Sequence, residues 1–257
     1  METTLHRQLK DLFREPNSPI EVKLGRFRID VVNGDRLVEI QRSGLAAIRS
    51  KIKKLLGDGF CIDVVKPLVA RKQLVKLNRS NGVVIDRRWS PLRGTVLDVF
   101  DELMYFTEVF PHPNLKLITP LVTIEEVRFP GHGRRRRRRN DDFVVKDRHI
   151  LELHQTYSFS AVTDLFQLLP RNLPAEFDTG ELAVRMEVPR DQAQKVAYVM
   201  RKIGGMVQTG KRGNAILCRL VTSKEAATEL ATKKTKTGRS ATAQIRAAVA
   251  KHAIRAA

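Results

Sequence analysis

Apolar and polar positions recur along this chain at two different periods, and each change of period marks an element. Leu5, Leu9, Leu12 and Phe13 fall on one helical face of Thr4–Phe13, and Pro16 stops that helix. Ile20–Leu24 reads as a first strand. Arg26–Gln41 (RFRIDVVNGDRLVEIQ) then alternates with period two about Asn33-Gly34, the pair that most favours a two-residue type I′ turn because both positions take positive φ. Such a turn pairs Val32 with Asp35, Asp30 with Leu37 and Arg28 with Glu39. It sets Asp30, Glu39 and Gln41 on one face and leaves Phe27, Ile29, Val31, Val38 and Ile40 to be buried on the other. Asp30 and Glu39 lie on a diagonal of that ladder, with β-carbons roughly 7 Å apart, close enough for both carboxylates to reach one ion. Leu45–Leu56 is helical by the spacing of Leu45, Ile48, Ile52, Leu55 and Leu56, and Gly57 and Gly59 end it before a strand at Cys61–Val65.

The predicted order is helix, three strands, helix, strand. With an Asp near the end of the second strand and E-I-Q ending the third, it resembles the PD-(D/E)xK nuclease superfamily over roughly Glu2–Pro67, and E-I-Q followed by Ser43 is similar to its competence-protein CoiA branch. The resemblance implies a restriction-endonuclease-like αβββαβ core with a mixed sheet. It also implies Mg²⁺ or Mn²⁺ held by Asp30, Glu39 and the Ile40 carbonyl, with Glu2 on the first helix as a further acid. Gln41 stands where the family usually has Lys. A neutral amide can orient water but cannot stabilise hydroxide as an ammonium can. Without the surrounding elements, an Asp/Glu/Gln face on an amphipathic hairpin would read as solvated surface.

Beyond the presumed core, Leu74–Leu77 and Val83–Ile85 read as strands about Ser80-Asn81-Gly82, Thr95–Phe110 as a helix and Leu115–Phe129 as a strand. Arg87, Arg88 and Arg93 flank Trp89, the only Trp; the group either grips a phosphate backbone and stacks a base, or the Trp plugs the edge of the domain. Residues 131–142 hold six consecutive arginines, Arg134, Arg135, Arg136, Arg137, Arg138 and Arg139, which cannot pack together and so predict an exposed linker or loop. Phe143–Phe159 is extended, and Ala161–Leu169 a short helix capped by Ser160. Asp178 with Glu181 makes a capping box for Thr179–Met186, Pro189 opens Arg190–Ile203 and Gly204-Gly205 closes it. Met206–Gln208 and Ala215–Leu220 then flank a basic hairpin tip. Residues 143–220 therefore resemble a winged helix, which implies Arg190, Gln192, Gln194 and Lys195 facing a nucleic-acid groove and Lys211 and Arg212 as wing contacts. Residues 221–257 form a basic, Ala/Lys-rich tail, expected to be disordered or partly helical when free.

Composition adds the partner. The formal charge of +19 in 257 residues favours a polyanion through counterion release, and nucleic acid, DNA first, is the default. No apolar run reaches membrane-spanning length and the N-terminus lacks a secretory pattern, so a cytoplasmic protein without membrane contact is expected. Cys61 and Cys218 read as buried thiols. The sequence thus predicts a Mg²⁺-dependent nuclease domain (residues 1–130), a linker, a winged helix and a tail. The alternatives are a non-catalytic DNA-binding protein on an inactivated nuclease fold, or an RNA-binding accessory factor, against which the 6% aromatic content counts.

Overall fold

A computed structural model describes residues 3–131, 142–222 and 239–256. The first six elements occur in the predicted order: α1 (Thr4–Phe13), β1 (Ile20–Leu24), β2 (Phe27–Asn33), β3 (Arg36–Ile40), α2 (Arg49–Gly57, preceded by a 3₁₀ turn at Leu45–Ile48) and β4 (Cys61–Val65). Strands β1 to β3 are antiparallel neighbours, and β4 runs parallel to β3.

The hairpin register differs from the one read off the sequence. Asn33 pairs with Arg36, Val32 with Leu37 and Val31 with Val38, so the two turn residues are Gly34 and Asp35, and only Gly34 has positive φ (57°). Asn33 is excluded from the turn by a contact its neighbours in sequence do not reveal. Its amide donates to the Phe13 carbonyl at 2.9 Å and its oxygen accepts from Glu15 N–H at 3.1 Å, which ties the end of α1 to the sheet.

β5 (Leu68–Leu77) and β6 (Val84–Trp89) form the next hairpin. The helix expected over Thr95–Phe110 shrinks to α3 (Val99–Leu103) after a 3₁₀ turn at Val96–Asp98. β7 (Leu115–Pro130) is the spine of an eight-stranded mixed sheet in the order β1-β2-β3-β4-β7-β5-β6. β4 lies beside Leu115–Ile118 and β5 beside Leu121–Arg128, both parallel to β7, while β8 (Phe143–Phe159) lines its other edge antiparallel.

This pairing corrects the expected boundary at residues 131–142. Phe143–Phe159 belongs to the same sheet as Leu115–Pro130, so the sheet-bearing part continues to residue 159 rather than ending at 130. The segment between β7 and β8 joins two neighbouring strands and is no interdomain linker. A charge run flanked by two strand patterns looks the same in sequence in either case. The arginines 134–139 lie outside the described residues, as does Glu2.

After α4 (Val162–Leu165) come α5 (Thr179–Met186), α6 (Arg190–Lys202) and the hairpin β9 (Met206–Arg212)–β10 (Ala215–Leu220). The Asp178/Glu181 box is formed as predicted: Asp178 accepts from the Gly180 and Glu181 N–H groups, and Glu181 accepts from Asp178 N–H. Residues 239–256 form α7 (Arg239–Ala256), which packs against β1 and buries Ala241 and Ile245. An Ala-rich stretch without aromatics can still dock a helix through two apolar positions, and of the two expectations for the tail, disordered or partly helical, this stretch takes the helical one.

Burial of apolar surface is the main favourable term in folding. One cluster joins α2, α3 and one side of the sheet to α5, α6, the β9–β10 hairpin and α7, through Ile52, Phe100, Phe110, Leu182, Val196, Met200 and Ile245 among others. A second, smaller cluster (Leu5, Leu9, Val31, Val38, Ile40, Val65, Val122 and Ile124) lies beneath α1. Among the described residues no helix is long and apolar enough to cross a membrane. Cys218 is buried and Cys61 half-buried, and both are free thiols.

Candidate functional site

Asp30 and Glu39 come together where β2 and β3 part, while the Gln41 side chain turns away into the loop after β3. The β2–β3 ladder stops at Val31–Val38, and the same register carried one step on sets Asp30 opposite Glu39, in place of the predicted diagonal. The side-chain alternation of β2 breaks here. Ile29 and Val32 join the larger cluster, Val31 joins the cluster under α1, and Glu21, across from Asp30 on β1, takes a left-handed φ of 59°. The predicted common face is therefore replaced by a grip from two layers. Asp30 is held from α1: its Oδ1 is 3.2 Å from His6 Nε2 and 3.8 Å from Lys10 Nζ. Lys10 also pairs with Glu21, which in turn pairs with Arg28. Glu39 is held from α2, where Lys51 Nζ donates to its Oε1 at 2.6 Å and to the Arg28 carbonyl at 2.6 Å.

The two carboxyls are driven in opposite directions. Burial alone would raise Asp30, but the His6 hydrogen bond, the Ile40 N–H (2.8 Å to Oδ2) and the nearby His6 and Lys10 charges outweigh it and hold the group below the usual carboxylate range. Burial pushes Glu39 up to about 7, with the Asp30 charge adding to it, even though Lys51 opposes both. One oxygen of Glu39, Oε2, is buried and has no hydrogen-bond partner. A buried carboxyl oxygen left this way is costly and calls for an explanation such as a water, an ion or a role in chemistry; Asn114 Nδ2 and Thr119 Oγ1 share the condition.

Gln41 is buried and turned into its own loop, its amide donating to Ser43 Oγ at 2.6 Å and to the Gly44 carbonyl at 2.9 Å. Both amide protons are thereby used, and only its carbonyl oxygen is left to meet water. What Ile40 gives Asp30 is its N–H. Just beyond, Lys66 donates to the Arg42 and Ser43 carbonyls and pairs with Glu102 at 3.0 Å, fixing the loop after β3. Among the described residues no three His, Cys, Asp or Glu side chains are grouped to hold a metal, so any cation here rests on the Asp30/Glu39 pair. Mg²⁺ is commonly bound by one or two carboxylates and keeps several waters; here both Asp30 oxygens and Glu39 Oε1 already accept hydrogen bonds within the protein, and Glu39 Oε2 is the oxygen left to meet an ion. His6, Lys10 and Lys51 escaped the sequence reading. A basic residue at helical spacing carries no mark of the strand it will meet.

The other predicted contacts are scattered. Arg87 and Arg88 lie on the exposed edge strand β6, where Arg87 pairs with Glu125 at 3.0 Å. Trp89 is half-exposed, with the Arg71 guanidinium 4.3 Å from the centre of its ring; Arg93 is exposed. On α6, Arg190 and Gln194 are exposed and Gln192 half-buried, but Lys195 turns back to Asp101 on α3 at 2.8 Å. Lys211 is exposed, whereas Arg212 pairs with Glu181 at 3.0 Å. Lys195 and Arg212 are thus committed to protein partners because acids of α3 and of the α5 cap lie within reach.

The molecule is a mixed α/β protein built on one large mixed sheet. Residues 3–160 match a family described as a domain of unknown function, DUF8091, and the chain belongs to that family. The match ends where β8 ends, which agrees with the sheet running to residue 159. The chain is also similar to an uncharacterized protein of Treponema pallidum (strain Nichols), 32% identical over 183 residues that cover 71% of each chain. No solved structure matches.

Proposed function

We propose that this chain is a Mg²⁺- or Mn²⁺-dependent nuclease acting on DNA. In this reading residues 4–65 are a restriction-endonuclease-like core, and α5, α6 and the β9–β10 hairpin are a winged helix that contacts DNA. The observation that carries it is the partnerless buried oxygen of Glu39 beside Asp30, at the point where β2 and β3 separate. Asp30 and Glu39 would hold the ion. When bound, it would supply Lewis-acid polarisation of a phosphate and a lowered pKa for an attacking water. Lys51, fixed 2.6 Å from Glu39, puts an ammonium beside the acids where the family's usual lysine is replaced by Gln41. Two of its three protons are used on Glu39 and the Arg28 carbonyl, leaving one to face a phosphate oxygen. Gln41 retains an acceptor oxygen that can orient water.

A second reading, a DNA-binding protein without chemistry, is favoured by the commitment of both Gln41 amide protons to Ser43 and Gly44. The two readings separate in one experiment: cleavage of labelled single- and double-stranded DNA and RNA with Mg²⁺, Mn²⁺ or EDTA, by the wild type and by Asp30→Ala and Glu39→Ala. Nuclease action predicts metal-dependent cleavage that falls by at least about 100-fold in either variant. Binding without cleavage in every metal would leave the second reading standing.

A further inference from the structure

The chemistry outside the acid pair concentrates on the far part of the sheet, where β5, β6, β7 and β8 run on together. A cleft of about 470 Å³ opens there, lined by Lys76, Arg88, Arg128, Phe129, Phe143 and acids that include Asp86. That volume lies within the ~300–1,000 Å³ typical of ligand sites. Its cations come from three different strands, so no stretch of the sequence announces them as a group. Arg88 is 3.8 Å from Asp86, a loose pairing, and Lys76 is exposed.

Behind the cleft sits Glu126, only 1% exposed. Its two oxygens accept from Arg128 Nε at 2.6 Å, Arg148 Nε at 2.6 Å and Lys72 Nζ at 3.2 Å. Arg128 meets Glu126 through both Nε and Nη2 (2.5 Å), which locks its guanidinium in plane and leaves the Nη1 side to project. Arg128 is fixed a second time, its guanidinium 3.8 Å from the centre of the Phe143 ring. Phe129 and Phe143 are only partly buried, and each has surface facing the cleft.

We propose that this cleft binds a single-stranded stretch of nucleic acid, with phosphates on Lys76, Arg88 and Arg128 and a base against Phe143, and that Glu126 is a positioning residue for Arg128 and Arg148. The single strand is favoured over the duplex because a base can reach an aromatic ring in a sheet cleft only when it is unpaired. The proposal shares with the preceding reading a nucleic-acid partner, but it does not depend on cleavage. None of its residues touches Asp30, Glu39 or Gln41.

The test is fluorescence anisotropy of a labelled single-stranded oligonucleotide with the full chain in EDTA, titrated at several salt concentrations, with the matching duplex in parallel. Two variants probe different parts of the cleft. The double variant Lys76→Ala/Arg88→Ala alters exposed side chains only, so it leaves the fold intact. It should weaken single-strand binding and lower the slope of log K against log salt by about 1.4, the value for two lost phosphate contacts. Phe143→Leu removes no charge and should weaken single-strand binding roughly 5- to 100-fold while leaving that slope unchanged. A duplex bound more tightly than the single strand, or two variants that both bind as the wild type does, would overturn the proposal. Because binding is read without metal, an absence of cleavage in the preceding experiment leaves this outcome untouched.

Discussion

Glu126 shows how one residue can be both a structural keystone and a source of pH dependence. Burial pushes its carboxyl up, yet the Arg148 hydrogen bond, the Lys72 charge and the Arg128 hydrogen bond outweigh burial and hold it below the usual range. For an acid lowered on folding, the stabilisation is fully present above the unfolded-state value and is lost as pH falls through the folded one. Glu126→Gln should therefore cost roughly 2–3 kcal/mol at pH 7, a figure reduced from the usual cost of breaking a buried pair because its three cations are partly solvated. The gap to the wild type should close as the pH is lowered below about 4. Urea midpoints of the two chains across pH 3–7 measure this, and a gap independent of pH would refute it. Residue-level chemistry was legible in the sequence only where partners are close in the chain. The pairing of Glu126 with Arg148 crosses 22 positions and that of Lys51 with Glu39 crosses 12, and neither spacing belongs to a local motif.

At the scale of elements, agreement was best where local rules act alone. The capping box at Asp178 is complete within four residues, and helix α5 begins where those residues say it should. Asp178→Ala should cost about 1–2 kcal/mol, since it strips two N–H groups of their acceptor. In a chain of this size the melting temperature should then drop by roughly 2–8 °C, readable by circular dichroism. Agreement failed where a distant contact outbid a local preference. Asn33-Gly34 is the stronger turn signal, yet Asn33 is drawn off to the end of α1, and the turn moves on by one residue. That shift changed how Asp30 meets Glu39 without moving either residue to another strand. The acid pair was therefore legible as a pair, while its geometry was not. Strand β8 was legible as a strand; its partner was not, because nothing in an alternating pattern names the strand beside it.

For the whole molecule, one observation outweighs the rest: the sheet and the α5–α6 part bury their apolar faces in a single cluster. Two domains joined by a linker would melt separately, but a shared core should melt as one unit. Met200, fully buried on α6, offers a test against Trp89 at the far edge of the sheet. Met200→Ala should cost roughly 2–5 kcal/mol and lower the melting temperature by about 4–20 °C. The fluorescence transition of Trp89 should move with it by the same amount. If Trp89 kept its wild-type midpoint while the helical signal shifted, the two parts would be independent after all.

The strand β7 gives this unity a mechanical meaning. Its 16 residues form one continuous element, about 50 Å long at the usual rise of about 3.3 Å per residue. Near its start it lies beside β4, next to the acid pair; near its end it carries Arg128 and Phe129. A single covalent strand thus joins the two places, its pairing with β8 shifted in register between Pro120 and Val122, Thr123 and Ile124, and Val127 and Arg128. Under the readings proposed above, a nucleic-acid strand seated at one end would arrive at the other after a set number of nucleotides. The protein would then act as a ruler, and its products would carry a preferred length.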